Sequence, residues 1–183
     1  MVSLAHALLQ PGDTYLAGND IVYDREQAHP ALRRLSAFHV VEMQTWPKAR
    51  LDALIEDVDR GRPKLMIFDY RLAGLPSPLT SHLLRRYDHW SASVYLYAPL
   101  VAPEERTFDV WFDGHYRIEP AAGSAVIDDH DAPSGTSIRL QRGIHRNGSS
   151  AEVRLRLMPD AGEGWPDPAM QASRSLFAGV YDY

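Results

Sequence analysis

The local sequence pattern changes near Pro99, and this change constrains the fold more than any other feature. Before it, segments with helical spacing of apolar residues alternate with strand-like runs; after it, only short strand-like runs occur, separated by turn-forming residues. The segment from Pro99 to Arg106 has two prolines and three charged residues, which suits a linker. We therefore expect an α/β domain over residues 1–100, a β-sandwich domain over residues 104–160, and a loop and tail over residues 161–183.

The first domain is predicted to be a small Rossmann-like three-layer α/β unit with parallel strands. Apolar residues recur at helical spacing over residues 48–60, which predicts an amphipathic helix. The mainly apolar run over residues 64–68 suits a strand that is buried on both faces. A helix ending at Tyr87 and a strand over residues 93–97 come next. A helix between two strands at this spacing predicts a βαβ unit with parallel strands and a right-handed crossover.

The second domain is predicted to be a small all-β antiparallel sandwich. Apolar and other residues alternate over residues 108–112, and Asp113-Gly114 suits a hairpin turn that leads into a returning strand. Asn147-Gly148 is another predicted turn. Turn signals recur about every 8–12 residues, which is the spacing of a sandwich.

The charge and composition of the chain exclude several classes of function. A formal net charge of -5 over 183 residues, without a cluster of Lys and Arg, disfavours nucleic acid as a partner. The absence of cysteine excludes disulfides, thiolate nucleophiles and Cys-ligated zinc. No apolar stretch approaches the roughly 20 residues that cross a bilayer, so we expect a soluble segment.

We expect no cofactor and no metal ion. The chain lacks the glycine-rich loops that cradle nucleotide phosphates and the Gly-x-Ser-x-Gly turn that presents a nucleophilic serine. The densest set of metal-ligand types is the run Asp128-Asp129-His130-Asp131. Adjacent side chains on a strand point to opposite faces, so a solvated hairpin tip explains this run better than a cation site.

The best positional candidates for ligand binding follow the predicted buried strand. Asp69, Tyr70 and Arg71 stand where that strand ends, and ligands of parallel sheets bind beyond the carboxyl ends of the strands. In this interpretation Asp69 and Arg71 would hydrogen-bond hydroxyls or phosphate and Tyr70 would stack on a sugar. The alternative is that Asp69 caps a helix or forms a turn.

Two further groups of residues are candidates for ligand contact. Asp24 and Arg25, and the pair Arg33 and Arg34, could hold an anionic group, although an exposed helical face after Pro30 explains the second pair equally well. The tryptophans could stack on sugar rings. Trp111 is the main candidate, because it alternates with the apolar residues of its strand and should point away from their core; the alternative is that it packs between the two domains. The tryptophans are Trp46, Trp90, Trp111 and Trp165.

The order of the segments over about residues 1–158 forms a recognisable pattern. The first part of the chain carries PGDTYLAG over residues 11–18, the Asp-Arg segment, RPKLMIFDYR over residues 62–71, Leu75-Pro76 and the helix that ends at Tyr87. The second part carries FDGHYR over residues 112–117 and the short runs over residues 126–128, 138–140, 143–145 and 153–155. This order resembles the soluble C-terminal region of multi-spanning bacterial membrane glycosyltransferases that use a lipid-phosphate sugar, of the dolichyl-phosphate-mannose-protein mannosyltransferase type.

This resemblance implies a location, partners and a function. It implies a domain on the extracytoplasmic, periplasmic face of the inner membrane, tethered by transmembrane helices that this sequence does not contain. The partners would be the transmembrane portion of the same polypeptide and a glycan or polyprenyl-phosphate sugar. The catalytic carboxylate of the family lies in the membrane part, so the expected function is a non-catalytic accessory domain. The alternatives are a free-standing carbohydrate-binding module and a small hydrolase of a carbohydrate or phosphate ester.

Overall fold

The structure, a computed structural model, describes residues 2–159, which divide into two compact units. The first unit extends to Leu96 and the second begins at Tyr97, a few residues before the predicted linker. The predicted loop and tail over residues 161–183 lie outside the described residues. Within the described chain, no helix is long and apolar enough to span a membrane.

The first unit contains five helices and five strands in its described part. The predicted helix over residues 48–60 and the strand over residues 64–68 are confirmed, and each lies within one residue or two of its expected bounds. The elements are α1 (Val2–Leu8), β1 (Thr14–Ala17), β2 (Glu26–Gln27), a 3-10 turn (Pro30–Leu32), α2 (Ala37–Met43), α3 (Lys48–Gly61), β3 (Leu65–Ile67), α4 (Tyr70–Ala73), α5 (Ser77–Arg86), β4 (Tyr87–Ser91) and β5 (Val94–Tyr97).

The sheet of this unit is mixed, and the predicted parallel βαβ pairing of its last strands is wrong. The strand order is β2-β1-β3-β5-β4, in which β1 is parallel to both β2 and β3. Strand β5 pairs antiparallel with β3, with Leu65 opposite Leu96. The reason is that β4 begins at Tyr87, directly after α5, and the chain reverses at Ala92, whose φ is 50°. This extra strand reverses the direction in which β5 enters the sheet.

The apolar face of α3 and the central strands build the core of the first unit. Strands β1 and β3 are buried along almost their whole length, as the continuous apolar run at residues 64–68 predicted. Leu51, Leu54 and Val58 of α3 are buried at the predicted helical spacing. Each such side chain contributes about 2 kcal/mol through the surface removed from water.

The second unit is built from strands that pair antiparallel. Its described part forms a four-stranded sheet in the order β11-β8-β13-β6 and two smaller sheets, β10-β9 and β12-β7. The all-β composition predicted for this part of the chain is therefore confirmed. The strands are β6 (Leu100–Val101), β7 (Thr107–Val110), β8 (Gly114–Pro120), β9 (Ser124–Ile127), β10 (His130–Pro133), β11 (Ser137–Leu140), β12 (Gly143–Arg146) and β13 (Val153–Met158).

Three local predictions for this unit are wrong. Strands β7 and β8 do not form a hairpin around Asp113-Gly114, because β7 pairs with β12 while β8 pairs with β11 and β13. The segment predicted as a linker carries strand β6, which pairs with β13. Asn147-Gly148 is not an exposed hairpin turn, since Asn147 is 4% exposed and bridges to Ile127. In each case a long-range partner satisfies backbone groups that local turn chemistry would otherwise satisfy.

Candidate functional site

Asp69, Tyr70 and Arg71 form a cluster whose polar atoms pair with one another. The Asp69 Oδ1 accepts hydrogen bonds from the amides of Arg71 at 3.0 Å and Leu72 at 3.1 Å, so it caps the short helix α4. Its Oδ2 accepts from Arg71 Nη1 at 3.1 Å. The Arg71 guanidinium also lies 4.6 Å from the centre of the Tyr70 ring. The helix-cap interpretation of Asp69 therefore describes its local role.

The space beside the carboxyl end of β1 is filled by this cluster. A Cβ placed on the buried Gly18, which directly follows β1, would lie 2.7 Å from Arg71 Cβ and 2.8 Å from Asp69 Oδ1. The absence of a side chain at this glycine is what lets the chain after β3 approach β1. Asp69 and Arg71 therefore use this edge for packing, and their proposed ligand role stays a prediction.

Asp24 and Arg25 lie together, and their polar contacts are also internal to the first unit. Arg25 Nη1 donates to Asp24 Oδ2 at 2.7 Å, and its Nη2 reaches the Leu9 carbonyl at 3.5 Å. His6 Nε2 lies 3.3 Å from Asp24 Oδ1. These contacts connect the end of α1 to the loop before β2. Within the described chain, no hydrogen bond or ion pair joins Asp24 or Arg25 to Asp69 or Arg71.

Trp111 is buried, although its place in the alternating pattern suggested that it points away from the core. Its side chain is 3% exposed and stacks on Tyr97, with ring centres 4.8 Å apart and planes inclined by 20°. Alternation along β7 breaks down here because Trp111 follows the last residue of that strand. Its ring faces are therefore not open to a sugar.

A different surface of the first unit forms an open groove of about 420 Å³. It lies between the 3-10 turn, α2 and the start of α3. The N-terminus of α2 is defined by Ser36, whose Oγ accepts from the His39 amide at 3.2 Å while His39 Nδ1 accepts from the Ser36 amide at 3.4 Å. Pro47 then separates α2 from α3. The groove residues are Pro30, Ala31, Arg34, Leu35, His39, Glu42, Met43, Trp46 and Arg50.

The groove carries two arginine side chains that form no hydrogen bond or ion pair with a carboxylate within the described residues. Arg50 stacks over the Trp46 ring with its guanidinium carbon 3.5 Å from the ring centre. No hydrogen bond or ion pair within residues 2–159 involves the Arg34 side chain. Glu42 supplies the carboxylate of the groove lining, and Trp46 Nε1 reaches its Oε1 at 3.5 Å. The groove lining therefore carries two guanidinium groups and one carboxylate, a local excess of positive charge.

The sequence pattern indicated part of this groove. Arg33 and Arg34 were both candidates for anion binding, and the structure separates their roles. Arg33 donates its Nε to Asp20 Oδ2 at 2.8 Å, and this pairing lowers the pKa of the Asp20 carboxyl. Arg34 remains at the groove. Sequence reasoning missed Arg50, although it follows Trp46 by four residues, a spacing that could have indicated their contact.

The second unit contains a separate titratable cluster. His145 Nδ1 lies 2.6 Å from Asp128 Oδ2, and its Nε2 lies 2.7 Å from the Gln141 carbonyl. Both partners are acceptors, so only the doubly protonated imidazolium can donate to both. Burial opposes the charge, but these hydrogen bonds outweigh it and raise the pKa of His145. Burial likewise opposes ionisation of Asp128, while His145 and the Arg146 amide lower the pKa of its carboxyl. Asp109 adds to the stabilisation of the imidazolium.

This cluster predicts that stability depends on pH. The raised pKa of His145 contributes stability that is fully present below about pH 6.5 and is lost as pH rises through the folded-state pKa. The lowered pKa of Asp128 contributes stability above about pH 3.8 that is lost on acidification. We expect His145→Gln to lower the free energy of unfolding by about 1.5 kcal/mol at pH 5.5, and by less at pH 8.5. Urea unfolding at both pH values measures the difference.

The exposed His115 of β8 supplies the control for this experiment. His115→Gln should change stability little at either pH. An equal cost of His145→Gln at pH 5.5 and pH 8.5 would contradict the assignment of an imidazolium.

Comparisons with known proteins give no match for this chain. No family model matches it, and neither the curated proteins nor the solved structures contain a match. Within the described residues, no group of three His, Cys, Asp or Glu side chains is arranged to hold a metal ion.

Proposed function

We propose that this chain is a non-catalytic accessory domain of a membrane glycosyltransferase, and that its groove binds the anionic part of a lipid-linked sugar donor or a glycan acceptor. The observation that carries the proposal is a groove lined by two guanidinium groups, Arg34 and Arg50, of which Arg50 stacks on the Trp46 ring of the same lining. A sugar phosphate offers the complementary chemistry, since its phosphate accepts several hydrogen bonds from guanidinium and its sugar presents C–H faces to an aromatic ring.

The size and chemistry of the groove agree with this ligand class. Its volume of about 420 Å³ lies in the range of roughly 300–1,000 Å³ that small-molecule sites occupy. The Arg50 guanidinium lies over one face of the Trp46 ring. The lining also contains buried apolar side chains, Leu35 and Met43.

The lining supports binding better than catalysis. Glycoside hydrolysis uses a pair of carboxyl groups on either side of the reacting bond. The groove lining has one carboxylate, Glu42, which is exposed. A hydrolase acting at this site therefore lacks the second carboxyl group within the described lining.

The parallel strands β2, β1 and β3 support the Rossmann-like reading of the first unit, in which β5 and β4 extend the sheet. The antiparallel sheets of the second unit support a small β-sandwich. In this proposal the domain lies on the periplasmic side of the inner membrane. It contacts the transmembrane portion of the same polypeptide.

The test is a titration with a water-soluble, short-chain polyprenyl-phosphate sugar. We expect amide shifts at α2 and the start of α3, and about tenfold weaker binding in Arg34→Gln and in Arg50→Gln, because each variant loses a charge-assisted contact to phosphate. The exposed Arg139 of β11 provides the matched control, Arg139→Gln, which should bind like the wild type.

Other results of this titration would contradict the proposal in different ways. Shifts centred on Asp69 and Arg71 would move the site to the end of β3. Equal binding of a neutral glycan by the wild type and by Arg34→Gln would favour a free-standing carbohydrate-binding module. The absence of any shift at the groove would reject the proposed ligand class.

A further inference from the structure

Helix α2 presents two large apolar side chains to solvent beside the groove. Phe38 is 75% exposed and Val41 is 67% exposed. They are three residues apart on the helix, so they share one face. Exposed apolar side chains that form a local patch indicate an interaction surface.

The opposite side of α2 holds the helix in one orientation. Met43 is buried, and Gln44 Nε2 donates to the Gly74 carbonyl at 2.8 Å. A Cβ at Gly74 would lie 3.0 Å from Val40 Cγ1, so Val40 packs directly on this glycine. Because these contacts hold α2 in place, Phe38 and Val41 point to solvent in the folded protein.

The segment around this patch is basic in an acidic chain. Residues 29–50 contain four Lys and Arg residues and a single acidic residue, whereas the whole chain has 19 Lys and Arg and 24 Asp and Glu. Arg33 and Lys48 pair with Asp20 and Asp52. Arg34 and Arg50 line the groove together with Glu42, and neither forms an ion pair within the described residues.

We propose that α2 docks on an anionic lipid surface. Phe38 and Val41 enter the boundary between headgroups and acyl chains, while Arg34 and Arg50 contact lipid phosphates and Trp46 lies at headgroup level. Apolar side chains flanked by arginine and tryptophan form the combination that binds at membrane interfaces. The local positive charge is complementary to anionic headgroups, and the exposed Phe38 and Val41 near arginine and tryptophan favour a lipid surface over an acidic protein.

This inference rests on the proposed function and adds a route by which the ligand arrives. A lipid-linked sugar can keep its tail in the bilayer while its phosphate occupies the groove next to α2. The apolar residues then serve membrane contact and the arginines serve both membrane and ligand. Substitutions can therefore separate the two activities.

Vesicle cosedimentation of the full chain tests the inference. We expect binding to vesicles of phosphatidylcholine and phosphatidylglycerol at a 70:30 ratio, weak binding to pure phosphatidylcholine, and weaker binding at high salt. The double variant Phe38→Ser/Val41→Ser should bind the mixed vesicles at least about tenfold more weakly, because two apolar side chains no longer enter the bilayer. It should still bind the water-soluble sugar phosphate like the wild type.

The control is Ile144→Ser on β12, which removes a side chain that is 70% exposed in the second unit. It should leave vesicle binding unchanged. Wild-type vesicle binding by the double variant, or no binding of mixed vesicles by the wild type, would overturn the inference and leave the proposed function standing if the sugar phosphate still binds. Vesicle binding without sugar-phosphate binding would support docking and reject the proposed function.

Discussion

Replacing Asn147 by alanine is expected to lower the free energy of unfolding of the second unit by about 3 kcal/mol. Its Nδ2 donates to the carbonyls of Ala102 and Glu105, each at 3.0 Å, and its Oδ1 accepts from the Ser149 amide at 3.0 Å. The side chain is 4% exposed. Alanine leaves these three backbone groups without their partner in the interior, and each costs roughly 1 kcal/mol or more.

Urea unfolding, together with hydrogen exchange of the β12 amides, measures this effect. Gln141→Ala is the matched control, since the Gln141 side chain also carries an amide but is exposed. Asn147→Asp should cost at least as much as Asn147→Ala, because a carboxylate cannot donate to two carbonyls. A cost for Asn147→Ala that equals the cost of Gln141→Ala would show that the Asn147 network does not stabilise the unit.

Gly18→Ala is expected to destabilise the first unit by about 2 kcal/mol through overpacking. The added Cβ would lie 2.7 Å from Arg71 Cβ and 2.8 Å from Asp69 Oδ1. The Cβ of Arg71 is bonded directly to the backbone of α4. The overlap with the new Cβ can therefore be removed only if α4 moves away from β1. The carboxylate of Asp69 must move as well, which weakens the helix cap.

The control is Gly74→Ala in the same unit, whose Cβ meets Val40 Cγ1 at 3.0 Å. That neighbour is the end of a side chain, so we expect a cost of less than about 1 kcal/mol. Thermal and urea unfolding followed by circular dichroism compare the two variants. If Gly18→Ala is as stable as Gly74→Ala, the approach of α4 to β1 is looser than the structure shows.

The arginines of the first unit include a group that pairs with carboxylates and a group that lines the groove. Arg25, Arg33 and Arg71 each bind a carboxylate of their own unit, so their charge supports the fold. Arg34 and Arg50 lie at a groove instead. The fold decides which arginines lie near a carboxylate and which stay available to a ligand. A count of arginines in the sequence does not distinguish the two groups.

The sequence likewise predicts only part of the strand arrangement. The apolar run before Asp69 predicts a buried strand, because only a strand covered on both faces carries so continuous a run. The pairing direction of β5 could not be predicted, since Tyr87–Ser91 mixes buried and exposed positions and has no clear alternation. Trp111 is a further case: its place in an alternating pattern suggested exposure, yet the nearby Tyr97 ring covers it.

The sequence by itself determined the helix over residues 48–60, the buried strand over residues 64–68 and the change from α/β to all-β near Pro99. These features follow from local periodicity and from turn residues, which act over a few residues. The tertiary structure alone decided the direction of β5, the pairing of β7 with β12, the burial of Asn147 and Trp111, and the meeting of Arg34 with Arg50 at one groove. Each of these depends on contacts between residues far apart in the chain, whose free energy has no local signature.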